Sequence, residues 1–488
     1  STQAKTLFPY TTLFRSCPKR KRLVMIELSL AEVAKAVDGK LLNGSESVLI
    51  TGSVETDSRL VTSGSLFFAR PGEVTDGHLF IGAALESGAV AAVVDHEVSD
   101  AIPQILVTDV TAALGKLAKY VLACIRERSN LQVVGITGSN GKTTTKNMLR
   151  AILSSVGSTI APIESYNNEV GAPISILKAD FDTKFLVVEL GAGGPGSIAY
   201  LADIAKPNIG VVLKVGLAHV GEFGGIDGTA KIKGELASAL TAKDVFIGNA
   251  DDGYVRDMAT SVKQVWFGTA PDASYRATDL NLSIEGTNFE MHWPEGEIAR
   301  INLQILGEHH VMNALAACAV ADQLDVPREV TVAALEALPL AERWRMQLTN
   351  RPDGIAIIND AYNASPDSTK AALQTLAQLG KSGRRTIAVL GEMAELGQFS
   401  REQHDAIGRI VVRLNIDQLV VVGEGAKLIH MGAEQEGSWG GESKYFDSID
   451  EALAYVRGML VAGDIVLVKS SKSANLRYLG DDLLEVQP

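Results

Sequence analysis

The stretch Val133–Thr145, VVGITGSNGKTTT, constrains the chain most. Apolar β-branched residues lead in, as a buried strand would. A glycine turn follows, and Lys-Thr-Thr-Thr opens a helical pattern running to Leu153. A strand turning tightly into a helix start gathers outward-pointing N–H groups and the positive end of the helix dipole, which together make an anion site. Gly138 and Gly141 let the backbone approach phosphate with no Cβ in the way. Lys142 can reach terminal phosphates, and the Thr143 hydroxyl can take Mg²⁺. The spacing is GxxGKT; the longer GxxxxGK[ST] form fails because position 136 is Ile. Gly138, Ser139, Asn140, Gly141, Lys142, Thr143 and Thr144 are therefore the expected nucleotide contacts.

A chain of 488 residues predicts about three domains. Its 45 basic and 58 acidic residues leave a net charge of −13, which argues against nucleic acid or an anionic membrane as partner. An acidic protein that binds phosphates must concentrate positive charge locally, as the loop does. Cys17, Cys124 and Cys318 show neither metal nor redox spacing, and Cys318 sits in an apolar helical run as plain core. Few cysteines and no apolar run of membrane-spanning length predict a cytoplasmic protein without membrane insertion. Residues 1–24, with a basic patch at Lys19–Arg22 and no signal-peptide core, read as a non-native or disordered leader, with Met25 as the expected start.

Residues 25–130 alternate helix and strand patterns. Leu28–Val37 is an amphipathic helix pattern with Ser29 as N-cap. Leu66–Ala69, Gly88–Asp95 and Gln104–Val107 predict strands, and Leu79–Ser87 a helix, giving a small α/β domain. Ser58 and Arg59 precede a loop and can hold a diphosphate or a uracil edge; a solvated turn is the plainer alternative. His78, in an Asp-Gly-His turn, reads as structural.

Residues 131–340 continue the βα alternation. Phe185–Leu190 is a buried strand pattern ending in Glu189, and a carboxylate at the end of a parallel strand beside the phosphate loop is where a metal ligand belongs. Asn208–Val215 is the next strand pattern and runs into GLAHVGEFGG, which puts His219 past a third strand end as a metal or phosphate ligand. The following helix, Gly228–Leu240, carries Lys231, read as a solvated face, and Lys233, which can point back toward the site. Asn167 and Asn168, in SYNNEVGAP, offer paired amides for sugar or peptide hydrogen bonds. A β-hairpin is expected near 285–306. His309, His310 and Asn313 share one face of the helix that follows. They give only a weak zinc signal.

Residues 341–488 repeat strand, glycine and helix. Ile355–Asp360, Thr386–Leu390, Gln418–Gly423 and Asp464–Lys469 are the strand patterns, predicting a doubly wound, Rossmann-like domain. Asp360, Glu392, Glu424 and Lys469 stand at their ends as candidate contacts.

Taken together, TGSNGKTTTKNML, VVELGAGGPGSIAYL, AHVGEFGG, AKIKGEL, GEHHVMNALAA, DAYNASPDS and VLGEMAELGQFSREQH resemble the Mur ligase family from about Met25 onward, and within it the branch that adds D-alanyl-D-alanine. The resemblance implies three α/β domains: a small N-terminal one for the UDP-linked substrate, a central P-loop-type ATPase with a parallel sheet, and a C-terminal Rossmann-like one. It implies ATP-dependent amide formation between UDP-N-acetylmuramoyl-tripeptide and D-alanyl-D-alanine through an acyl phosphate; a monomer is expected. Under it Lys142 holds the β- and γ-phosphates, Thr143 and Glu189 bind Mg²⁺, and His219 ligates a second Mg²⁺. Lys233 matches the position that becomes carbamylated. Asn313, Arg345 and Asp360 surround adenine, phosphates and ribose, while Ser58 and Arg59 fall in the uridine-nucleotide region. Lys214, Gly193-Gly194, His310 and Ser365 depart from the residues common in the family, and Lys214 adds a cation near the metals. A folylpolyglutamate-like ligase, or a regulatory protein that kept the loop and lost transfer, are the competing readings. The trio Glu189, His219 and Lys233 argues against the second.

Overall fold

A computed structural model describes residues 25–485 apart from 73–74, 163–164, 219, 259, 339–342 and 437–441. The leader and His219 therefore lie outside the described residues. Two compact units emerge: one takes the described residues up to Val110 together with Leu177–Asp180, the other takes Thr111–Ile176 and Phe181 onward.

In the first unit, Ser29 caps the helix Leu30–Ala36 by accepting from the Glu32 N–H while the Glu32 carboxylate reaches back to the Ser29 N–H. The five-stranded sheet runs in the order Lys40–Leu41, Gln104–Leu106, Ala89–Val94, Ser65–Phe68, Val54–Glu55. All its pairings are parallel except the first. The expected helix at Leu79–Ser87 divides: Gly77–Phe80 is a 3₁₀ turn, started by the Asp76 side chain, and Ile81–Glu86 is α-helical.

The second unit holds two large sheets. The first has nine strands, ordered Ile298–Leu303, Gly286–His292, Tyr275–Ser283, Lys263–Gly268, Val245–Asn249, Ile209–Val212, Gln132–Thr137, Phe185–Glu189, Thr159–Ile160. It is parallel through the middle and antiparallel across the three strands from Tyr275 to Leu303. The strands bordering Gln132–Thr137 are buried on both faces, hence their unbroken apolar runs. Register sets the site: Glu189 lies opposite Ile136, and Val212 opposite Thr137, so three strands end at one level. The helix Lys142–Ser154 buries Met148, Leu149, Ile152 and Leu153 and packs on the alanine-rich helix Glu308–Gln323. Cys318 lies in that core, where burial pushes its thiol up to about 12.

The strand expected to reach Val215 stops at Val212. Beyond it the backbone leaves the ladder to serve the loop, with Lys214 O accepting from Ser139 N and Val215 N donating to Asp252.

The other sheet has six strands, ordered Gln347–Asn350, Ala356–Asn359, Ile465–Lys469, Thr386–Leu390, Gln418–Val422, Ser443–Phe446, with one antiparallel edge. Apolar clusters fill both faces, as a doubly wound sheet requires. Its helix Pro366–Gly380 starts where Ser365 caps it reciprocally with Ser368 and Pro366 fits the first turn. Among the described residues no helix is long and apolar enough to cross a membrane.

Candidate active site

The loop between Thr137 and Lys142 is shaped by its two glycines. Gly138 has φ +152° and Gly141 φ +89°, and a Cβ on Gly141 would run into the Asn313 side chain. The Ser139 hydroxyl donates to Gly216 O and accepts from Gly216 N, tying the turn to the neighbouring strand end. Asn140 accepts from the Ser365 hydroxyl at 3.2 Å. Lys142 folds back over the loop and donates to Gly138 O at 2.6 Å. Enclosure lowers the Lys142 pKa; Glu189 opposes this and Arg345 adds to it.

Thr143 and Glu189 meet as the sheet register requires. The Thr143 hydroxyl lies 3.3 Å from Glu189 Oε2 and 3.0 Å from the Ser165 hydroxyl. Glu189 is 0% exposed, and its Oε1 stands 3.2 Å from Lys146 Nζ, which is equally buried. Sequence reading missed Lys146. Its available signal was a charge at i+4 from Lys142 on a helix face that is otherwise core.

Lys233, on the helix Ile226–Ala239, is 2% exposed. Burial pushes its pKa well below the ordinary lysine value, and Lys142 pushes the same way against Glu235. Lys231 faces solvent, as expected of a charged helix surface. Glu235 also caps the helix Ser197–Ala205, accepting from Gly196 N and Ala199 N, directly after Gly193-Gly194.

Asn313 accepts from Thr145 and lies 3.3 Å from His310 Nδ1. Burial pushes His309 down to about 4 and His310 well below its ordinary value, so both rings are neutral near pH 7. Arg345 lies 4.3 Å over the Tyr362 ring and donates to Ser165. Asp360 accepts from Met346 N and pairs with Lys469 at 2.6 Å, so two strand-end candidates act on each other. Lys214 pairs at 3.5 Å with Asp367, whose other oxygen accepts from Leu217 N.

A cavity of about 740 Å³ in the second unit is lined by Ser139 through Thr144, Asn167, Asn168, Lys214, Lys233, His310, Asn313, Arg345, Asp360 and Lys469. Glu189 stands behind it, bonded to Thr143. Asn168 spends its carbonyl on the N–H groups of Val170 and Gly171, starting the helix Gly171–Ile176. Glu424 is largely exposed and pairs with Lys427. Tyr362, Lys472 and Glu395 line the cavity and were not singled out from sequence. Ser58 and Arg59 belong to the first unit, on the 3₁₀ turn Ser58–Leu60, where the Arg59 guanidinium grips Asp57 at 2.6 Å.

A glycine loop opening a helix, a hydroxyl backed by a buried carboxylate and a buried amine thus meet at one cavity. Residues 51–121 match the Mur ligase family catalytic domain, 136–321 the Mur ligase middle domain, and 344–472 the Mur ligase glutamate ligase domain. The UDP-N-acetylmuramoyl-tripeptide–D-alanyl-D-alanine ligase of Mycobacterium leprae is 40% identical over 94% of this chain and 99% of its own length. That of Bacillus subtilis is 32% identical over 94% and 99%. A crystal structure of MurF from Acinetobacter baumannii superposes with TM-score 0.86 at 31% identity, covering 95% of this chain and all of the other. MurF from Thermotoga maritima in complex with ADP gives 0.77 at 26%, covering 88% and 96%. The chain belongs to the Mur ligase family, on its MurF branch, and has that family's three-domain α/β fold.

Proposed function

We propose that this chain joins D-alanyl-D-alanine to the tripeptide of UDP-N-acetylmuramoyl-tripeptide, driven by ATP cleavage, in the cytoplasmic synthesis of peptidoglycan precursor. The meeting of the phosphate loop, the Thr143–Glu189 pair and the buried Lys233 around one cleft carries this reading.

A carboxylate is a poor electrophile because its oxygen does not leave. Attack by the tripeptide carboxylate on the γ-phosphorus breaks the bond to the β–γ bridging oxygen, releases ADP and yields an acyl phosphate. The neutral amine of D-alanyl-D-alanine then adds to the carbonyl carbon. The tetrahedral adduct expels phosphate and loses a proton to give the amide. Positioning and charge neutralisation supply most of the catalysis in such transfers.

The loop N–H groups and Lys142 would cradle the β- and γ-phosphates, and Asn313, Arg345 and Asp360 would hold the rest of the nucleotide. Thr143 and Glu189 present hard oxygen donors that fit Mg²⁺, and His219 would add a nitrogen donor. When bound, Mg²⁺ supplies positive charge against the phosphate oxygens. Burial favours the neutral form of Lys233, the form that adds to CO₂: its Nζ attacks the carbon and sheds a proton, turning the amine into an anionic carbamate. Ser58 and Arg59 would hold the uridine nucleotide, and Asn167 and Asn168 the sugar or peptide.

The test is ADP release with a panel of UDP-muramoyl peptides and amine acceptors. Release that requires both the UDP-muramoyl tripeptide and D-alanyl-D-alanine, and is abolished by Lys142→Ala, is expected. Equal release with a single amino acid as the amine, or with a folate in place of the UDP-muramoyl peptide, would move the chain to another ligase branch. No release with any pair would leave a nucleotide-binding protein.

A further inference from the structure

We propose that His78, Asp95 and His96, in the first unit, form a binding site for a borderline transition-metal ion such as Zn²⁺, apart from the Mg²⁺ of the ATP cleft. Asp76 starts the 3₁₀ turn Gly77–Phe80, and its Oδ1 accepts from His78 N at 3.0 Å and from His78 Nδ1 at 2.7 Å. That bond keeps the proton on Nδ1 and leaves the Nε2 lone pair on the far side of the ring. Nε2 faces Asp95 Oδ1 at 3.3 Å, where Asp95 follows the strand Ala89–Val94. Nε2 also accepts a long hydrogen bond from the Asp95 N–H at 3.4 Å, which a metal ion would replace. A ring nitrogen and a carboxylate oxygen 3.3 Å apart are held by a positive charge between them, which a proton or a metal ion supplies. His96 Nδ1 comes to 2.6 Å from the same carboxylate oxygen.

The three donor atoms lie within 4.8 Å of one another, close to the span bridged by two metal–ligand bonds of about 2.1 Å. Two imidazoles and one carboxylate suit Zn²⁺, Co²⁺ or Ni²⁺ and leave positions for water, whereas Mg²⁺ and Ca²⁺ favour donor sets dominated by oxygen. The Asp76–His78 bond is the outer carboxylate contact that orients a ligating histidine. His78 is buried and fixed, while the His96 side chain is 58% exposed. The two rings stack at 4.1 Å, so a modest rotation of His96 turns its lone pair toward the shared ion. An ion there would tie the Asp76–Phe80 turn to the end of a central strand of the sheet.

The experiment uses the full chain, stripped with chelator, beside its His96→Ala variant. Zn²⁺ is titrated by calorimetry, Co²⁺ by visible absorption, and melting is followed with and without Zn²⁺. Both proteins share the ATP cleft, so metal captured there cancels in the difference. The wild type is expected to bind one more equivalent than the variant, or the same equivalent roughly tenfold or more tightly. It should also show a Co²⁺ visible band that the variant lacks and a Zn²⁺-dependent rise in Tm that the variant loses. Identical stoichiometry, affinity, spectra and melting shifts in the two proteins would overturn the proposal and leave a shared proton as what holds the three side chains together.

Discussion

A primary amine enclosed by protein and set near a second ammonium loses its proton at a pH where a surface lysine keeps it. Lys233 is in that position, with burial and Lys142 acting in the same direction. If its neutral Nζ captures CO₂, ligase activity in CO₂-free buffer should fall severalfold and recover with bicarbonate. Lys233→Ala should be inactive and bicarbonate-insensitive, which a steady-state assay reads directly. His309 offers a pH test of the fold. Its folded pKa of about 4 lies below the ordinary 6.5. Between those values the unfolded chain binds a proton that the folded chain refuses. The stability it contributes is therefore complete above pH 6.5 and lost as pH falls toward 4, by about 3 kcal/mol. His310 acts with the same sign. His309→Asn should flatten the dependence of Tm on pH across this window. At this scale the sequence pointed to residues whose placement at the cavity follows from a local pattern: Lys142 and Thr143 after a glycine turn, Glu189 at a strand end. It hid Lys146, whose partner Glu189 is 43 residues away and reaches it only once two strands pair.

Elements were legible where one physical signal sufficed. The capped helix at Leu30 and the apolar strand Gln132–Thr137 follow from caps and runs of β-branched residues. Tyr275–Ser283 and Gln347–Asn350 escaped because their half-polar faces lie at or near sheet margins, where the pattern is weak. The Leu79–Ser87 helix was misread at its start because the Asp76 cap stabilises a tighter turn first. The loop itself gives the prediction at this scale. Gly141→Ala places a side chain at φ +89° and against Asn313. The backbone penalty alone is about 1 kcal/mol, and the collision adds to it. Calorimetric ATP affinity should drop at least tenfold, with a fall in Tm of a few degrees.

At the scale of the molecule, the two sheets of the second unit are joined through the site. Asp367, on a helix of the six-stranded sheet, takes the Leu217 N–H and the Lys214 ammonium from the nine-stranded one, and Ser365 meets Asn140. Asp367→Asn keeps an acceptor for Leu217 N and loses the ion pair, while Asp367→Ala loses both. Tm and kcat should fall in the order wild type, Asn, Ala, with about 1 kcal/mol for the hydrogen bond. Equal values for the two variants would mean that the ion pair alone matters. The three-domain plan was readable from motif order along the chain, but this junction was not, because it joins residues 150 positions apart. The alignment of Glu189 with Ile136 has a further consequence for how such a chain can diverge. Side chains alternate faces along Phe185–Glu189, so dropping a single codon there would swing the carboxylate to the opposite side of the sheet. Dropping two would restore the side but draw it back by about 6.6 Å. Heritable changes in length are thus confined to the connecting segments, while this strand can vary only in the identity of its residues.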